Sequence, residues 1–86
     1  MPTISRFFGI DIRIYYKYHP PPHFHAEYQG QRGTFDFNGN MLKGNIRSRV
    51  AKRIVREWEI LHREELEENW HNARHDIPVF RIPPLD

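Results

Sequence analysis

A chain of 86 residues with 38% hydrophobic and 14% aromatic side chains can close one small core, with no room for a second. The lack of cysteine excludes a disulfide framework and thiolate metal sites and fits a reducing cytoplasm; no apolar run is long enough for a membrane span, and no basic stretch followed by an apolar one marks a signal peptide. The net charge of +2 conceals a segregated field, because residues 43–56 hold six basic groups and no acid while residues 57–70 hold six glutamates against Arg63 alone. Such segregation bears on partners rather than on fold.

The amino half alternates at period two. A short strand is expected over Ile4–Phe8, with Gly9 at a corner. Ile10, Ile12, Ile14 and Tyr16 then point one way, and Asp11, Arg13, Tyr15 and Lys17 the other. Pro20-Pro21-Pro22 forces an extended connection, since each proline biases its predecessor away from helix. Alternation resumes with Phe24, Ala26 and Tyr28 against His23, His25 and Glu27, and again with Gly33, Phe35 and Phe37 against Thr34, Asp36 and Asn38. Between these runs, Gln29–Arg32 reads as a two-residue turn with Gly30 at its first central position. That register pairs Gln29 with Arg32, Tyr28 with Gly33, Ala26 with Phe35 and Phe24 with Phe37. Asn38-Gly39 offers a second turn, and Met41-Leu42 a short edge strand.

From Ile46 the period becomes 3.6, with Ile46, Val50, Ile54, Trp58 and Leu61 as one apolar stripe that then steps to Leu66, Trp70 and Ala73. One helix over Ser48–His75 would run about 42 Å, too long for so small a globule. A break near His62 instead puts Glu64 and Glu65 in the first turn of a second helix, where acids are favoured. Trp58 and Trp70 are expected in the core, and Ile77–Asp86, with three prolines, as an extended strap. The expected architecture is α+β: a three- to four-stranded antiparallel sheet with two helices packed on one face. It forms a single domain over residues 1–86, with a β-rich half at 1–44, a helical half at 45–76 and a tail at 77–86.

In the expected register His25 faces Asp36 and Glu27 faces Thr34. Pairing the strands on either side of the prolines sets Tyr15 opposite His25 and Arg13 opposite Glu27, with Lys17 near His23. Two histidines on one side of a strand titrate near neutrality. One can serve as base and the other as acid, while Arg13 or Lys17 stabilises a phosphorane-like charge and Asp36 fixes the tautomer of His25. That set (His23, His25, Arg13, Lys17, Asp36 and Tyr15) suits metal-free cleavage of RNA by its own 2′-hydroxyl. The competing reading is a solvated polar face lined by cross-strand pairs such as Arg13–Glu27.

His23 and His25 with Glu27 or Asp36 also resemble a two-histidine, one-carboxylate ligand set. Three protein ligands require Asp36 or His19 to converge, and no spacing is diagnostic, so no metal or cofactor is expected. His71 and His75 read as last-turn cations on the second helix. Pro2, once Met1 is removed, is a nitrogen base with nothing else of that pattern around it. The basic run Lys43, Arg47, Arg49, Lys52, Arg53 and Arg56 points to a phosphate backbone or an acidic partner, or else to a solvated helix face. Glu57–Glu68 is suited to another molecule's basic surface, including the basic run of a second copy in a homodimer.

The segment His19-Pro-Pro-Pro-His-Phe-His-Ala-Glu-Tyr28 carries a specific resemblance. With the opening Met1-Pro-Thr-Ile-Ser-Arg-Phe-Phe-Gly9, the Trp58…Leu61-His-Arg-Glu-Glu-Leu66 segment, Trp70 and the closing Ile82-Pro-Pro-Leu85, the chain resembles a small bacterial family catalogued as domain of unknown function 4160. Members commonly write the segment before the first helix with proline, where this chain has Asn45-Ile46. The resemblance implies no settled activity. It implies a toxin–antitoxin-like module in which the partner is a second small family, domain of unknown function 2442, and it marks His19, His23 and His25 as the candidate site. Two functions are therefore expected of a cytoplasmic protein. The first is RNA binding or metal-free endoribonuclease action through the histidine strand. The second is a non-catalytic regulatory module that binds protein or DNA through the basic helix.

Overall fold

The computed structural model describes residues 3–16 and 20–85. In chain order the elements are β1 (Thr3–Phe7), β2 (Ile10–Arg13), β3 (His23–Tyr28), β4 (Gln31–Asp36), β5 (Met41–Gly44), α1 (Arg49–Leu61) and α2 (Arg63–Arg74). The strands form one antiparallel sheet of five in the order β1-β2-β3-β4-β5. The α+β architecture with two helices is as the periodicity predicts. The sheet is one strand wider than the three to four expected, because Thr3–Phe7 and Met41–Gly44 both join it.

The β3–β4 register lies two residues from the expected one. Gln29 and Gly30, with φ of 50° and 77°, are the central residues of the turn, the pair of left-handed conformations that suits a hairpin's twist. Tyr28 therefore pairs with Gln31, Ala26 with Gly33 and Phe24 with Phe35. A shift of two keeps every side chain on its expected face but changes all its neighbours. Its packing reason is visible in the core, where the Phe24 and Phe35 rings stack 5.6 Å apart. The β2–β3 pairing is displaced in the same way, with Arg13 opposite His25 and Asp11 opposite Glu27.

The helices cover the face that carries Ile10, Ile12, Phe24, Ala26 and Phe35. Ser48 starts α1 by accepting a hydrogen bond from Ala51 N at 3.0 Å. The helix turns Ala51, Val55 and Trp58 inward, so its buried stripe is rotated from the expected one and leaves Val50 and Leu61 exposed. Trp58 decides this: it is fully buried, with its ring 5.4 Å from Phe7 and 5.8 Å from Phe24, and large aromatic side chains dominate core energetics. His62 separates α1 from α2, and Glu64 and Glu65 occupy the first turn of α2, as expected. The tail packs as a strap. Ile82 N donates to Ile4 O at 2.7 Å, Trp58 Nε1 to Pro83 O at 2.9 Å, and the Asn69 carboxamide bonds both backbone groups of Phe80. Among the described residues no helix is long and apolar enough to cross a membrane.

Candidate functional site

With the helices on one face, no described helix or strand covers the other face of the sheet, and antiparallel pairing arranges its side chains in two rows. Arg13, His25, Thr34 and Lys43 follow one another across β2, β3, β4 and β5. Arg6, Asp11, Glu27 and Arg32 do the same across β1 to β4. Residues directly opposite one another in neighbouring strands share a face, so these rows form one surface about 14 Å across from β2 to β5, at three strand spacings. A pocket of about 170 Å³ lies among Arg13, Tyr15, His25, Glu27 and Arg32. A shallower hollow of about 470 Å³ adjoins it, bounded by Thr34, Lys43 and Gly44 as well as Tyr15, His25 and Arg32. The three shared residues make the two a continuous groove.

Charge is distributed unevenly along this groove. Arg13 donates to Glu27 Oε1 at 2.7 Å and lies 3.4 Å from Asp11 Oδ2. The bond to Glu27 raises the guanidinium pKa above its ordinary value, so Arg13 is a charged but compensated wall. Arg32 and Lys43 are exposed. The His25 ring has Tyr15 edge-on at 4.5 Å and Thr34 Oγ1 at 3.4 Å from Nδ1. Burial, and secondarily the nearby His23, pushes its pKa from 6.5 down to about 4, which keeps it neutral at pH 7.

His23 belongs to a different environment although its ring is 5.4 Å from that of His25. It is only 8% exposed, its ring lies 5.0 Å from Trp70 of α2, and Nδ1 is 2.7 Å from Pro21 O, which requires Nδ1 to donate. It joins the end of the sheet to the helical layer.

Asp36 does not stand beside His25. The two-residue register places it opposite His23, and Oδ1 accepts from Asn38 N and Asn40 N at 2.9 Å each, building the turn before β5. The expected role of Asp36 in fixing the His25 tautomer is thereby overturned. Lys17 and His19 lie outside the described residues. The basic run is split between surfaces: Lys43 is on β5 in the groove, Arg47 sits in the connection to α1, and Arg49, Lys52, Arg53 and Arg56 are on α1 in the opposite layer. Thr34, expected opposite Glu27, stands opposite His25 instead, and Arg32 joins the site opposite Glu27, as a turn centred on Gln29-Gly30 requires. Among the described residues no three histidine, aspartate or glutamate side chains are grouped to hold a metal ion. His71 and His75 stack at 4.3 Å around the end of α2, with His75 Nδ1 2.8 Å from His71 O.

A family model described as domain of unknown function (DUF4160) matches residues 9–71. The chain belongs to this family. No curated protein and no solved structure matches it significantly. The DUF4160 match runs from the β1–β2 corner into α2, so every residue named above as lining the groove falls inside it.

Proposed function

We propose that this protein binds single-stranded RNA on the open face of its sheet. Arg32 and Lys43 contact phosphates, and Tyr15 and His25 contact bases. The observation that carries the reading is the convergence of two aromatic rings and two exposed cations on one groove. Stacking of a base on an aromatic side chain contributes about 1–3 kcal/mol and tolerates any sequence. A strand of unpaired bases fits a sheet face better than a duplex does, since its bases can splay onto the rings. Neutral His25 is suited to stacking or hydrogen bonding rather than to holding a phosphate. Arg13, already compensated by Glu27 and Asp11, shapes the wall. Cleavage by a histidine acid–base pair is not part of the proposal, because the His23 ring is buried against Trp70.

The test is fluorescence anisotropy with a labelled single-stranded RNA of about ten nucleotides, titrated at several salt concentrations. Two phosphate contacts predict a log–log salt slope of about −1.4. Arg32→Ala and Lys43→Ala should each weaken binding about five- to tenfold and flatten that slope by about 0.7. Arg53→Ala on α1 should change neither. Loss of binding in the α1 variant with none in the groove variants would overturn the reading and move the function to the basic helix. Absence of binding at about 100 µM, where even non-specific complexes form, would overturn it outright.

A further inference from the structure

Around its axis α1 presents three sectors. Ala51, Val55, Trp58 and Glu59 are buried. Arg49, Lys52, Arg53 and Arg56 form a basic sector beside them. The third sector is apolar: Val50 and Leu61 are 54% and 66% exposed, and Ile54 lies between them. Their spacing of four and then seven residues puts these three side chains in one stripe. Val50 and Leu61 face solvent, while Ile54 between them is half-buried and also packs against the core. The two ends of the stripe differ in charge. Val50 is flanked by Arg49 and Arg53, whereas Leu61 borders a cleft at the α1–α2 corner lined by Ile60, Glu64, Glu65, Glu67 and Arg63, so that three acids outweigh one cation, itself engaged by Glu59.

We propose that two copies of this chain pair through α1 in an antiparallel, two-fold arrangement. Val50 and Leu61 are eleven residues apart, about 17 Å along a helix. A two-fold axis passing between Ile54 and Glu57 sets Val50 of one copy on Leu61 of the second, and does so twice, as an isologous contact must. The same operation carries Arg49 of one copy to the Glu64 rim of the other's cleft and Arg53 to the other's Glu57. Within one chain Arg53 and Glu57 are 3.9 Å apart, with side chains 70% and 57% exposed, a loose pair that can exchange partners. Charge fixes the direction: a parallel pairing would put arginines against arginines and glutamates against glutamates, which is disfavoured. A nucleic acid as the occupant would be drawn to Arg49 and Arg53 but repelled by Glu57, Glu64 and Glu67 along the same stripe.

One helix face and a corner bury less than about 1,200 Å², the range of weak complexes, so dimerisation is expected at micromolar concentration. The experiment is sedimentation velocity on the full chain from about 1 to 300 µM. Wild type should shift from monomer to dimer across that range, and high salt should weaken the association. Leu61→Glu should weaken it at least tenfold with an unchanged circular dichroism spectrum, because that side chain has no core contact to lose. R53E and E57R should each do the same, and the double variant, which restores opposite charges across the axis, should recover the dimer. A wild type that stays monomeric throughout, a dimer that survives Leu61→Glu, or a charge-swapped double variant that remains monomeric would each overturn the proposal. RNA titration of Leu61→Glu separates this proposal from the groove reading, since the groove lies in the opposite layer and its affinity should not change.

Discussion

His23 and His25 extend from the same side of β3 with rings 5.4 Å apart, yet one is built into the fold and the other into the groove. His23 packs on Trp70 and reaches Pro21 O. His23→Ala should therefore lower stability by about 1–3 kcal/mol, through lost packing and a carbonyl left without its donor. That is a fall in melting temperature of about 4–8 °C for each kcal/mol in a domain of this size. The RNA affinity of the molecules that remain folded should be unchanged. His25→Ala should reverse the pattern, costing about five- to tenfold in affinity through a lost ring contact and less in melting temperature than His23→Ala. Thermal denaturation and anisotropy on the same samples decide it; equal losses in both variants by both measurements would be the contrary result.

The depressed pKa of His25 predicts a pH dependence of known sign. The unfolded imidazole titrates near 6.5 and the folded one at about 4. Between those values the unfolded state binds the extra proton, so stability rises with pH through that window and this group adds no further change above it. The contribution is thus fully present above about 6.5 and is lost as the pH falls towards about 4. The difference in urea midpoint between wild type and His25→Gln should be constant above pH 7 and change below 6, with wild type falling more steeply. An NMR titration of the His25 ring should show its midpoint near 4, and RNA affinity should show no step between pH 6 and 8 from this residue.

The reading of the open face as a binding surface has a cellular consequence. Only one of the two β3 imidazoles lines the groove, and acid–base cleavage by that strand needs a second positioned group. Induced expression should leave total RNA intact on gels. RNA fragmentation that disappears in His25→Ala would show that the groove carries chemistry as well as binding.

How much of this was legible in the sequence follows from which forces set each feature. The alternation around Ile10–Ile14 and Phe24–Tyr28 predicts both strands and both faces, because burial on one side enforces a period of two. The break at His62 was legible because length and the placement of Glu64 and Glu65 agree on it. The β3–β4 register was not, because Gly30 fits either central position of a two-residue turn. The observed register stacks Phe24 on Phe35, a contact between strands that neither strand's own pattern contains. That single ambiguity decides whether Asp36 or Thr34 stands opposite His25, and whether Thr34 or Arg32 stands opposite Glu27. The helix face is ambiguous for a related reason: Val50, Ile54 and Leu61 satisfy the 3.6 period as well as Ala51, Val55 and Trp58 do, and hydrophobicity alone favours the larger side chains. Glu59 and Asn69, fully buried on the helices, carry no signal of burial in a sequence, since their partners Arg63 and Phe80 are found only by folding.

Gly44 and Gly30 give a matched pair of substitutions that tests the sheet and the groove together. Both have positive φ, at 128° and 77°. A methyl group at Gly30 would meet nothing within 4 Å, whereas one at Gly44 would collide with the backbone oxygen of Arg32 and with Gly33 Cα. Gly30→Ala should therefore cost only the backbone strain of a left-handed residue, about 1–2 kcal/mol. Gly44→Ala adds a collision with main chain that no rotamer can relieve, and its cost should exceed about 4 kcal/mol, the range reserved for gross mispacking. To relieve the clash, β5 must move away from β4, which breaks the bonds of Asn45 to both backbone groups of Arg32 and carries Lys43 out of line with Thr34. Gly44→Ala should thus lose RNA affinity beyond what its unfolded fraction explains, while Gly30→Ala keeps full affinity per folded molecule. Urea denaturation followed by anisotropy below the transition measures both quantities, and equal stability of the two variants would show that the β4–β5 contact is looser than this geometry requires.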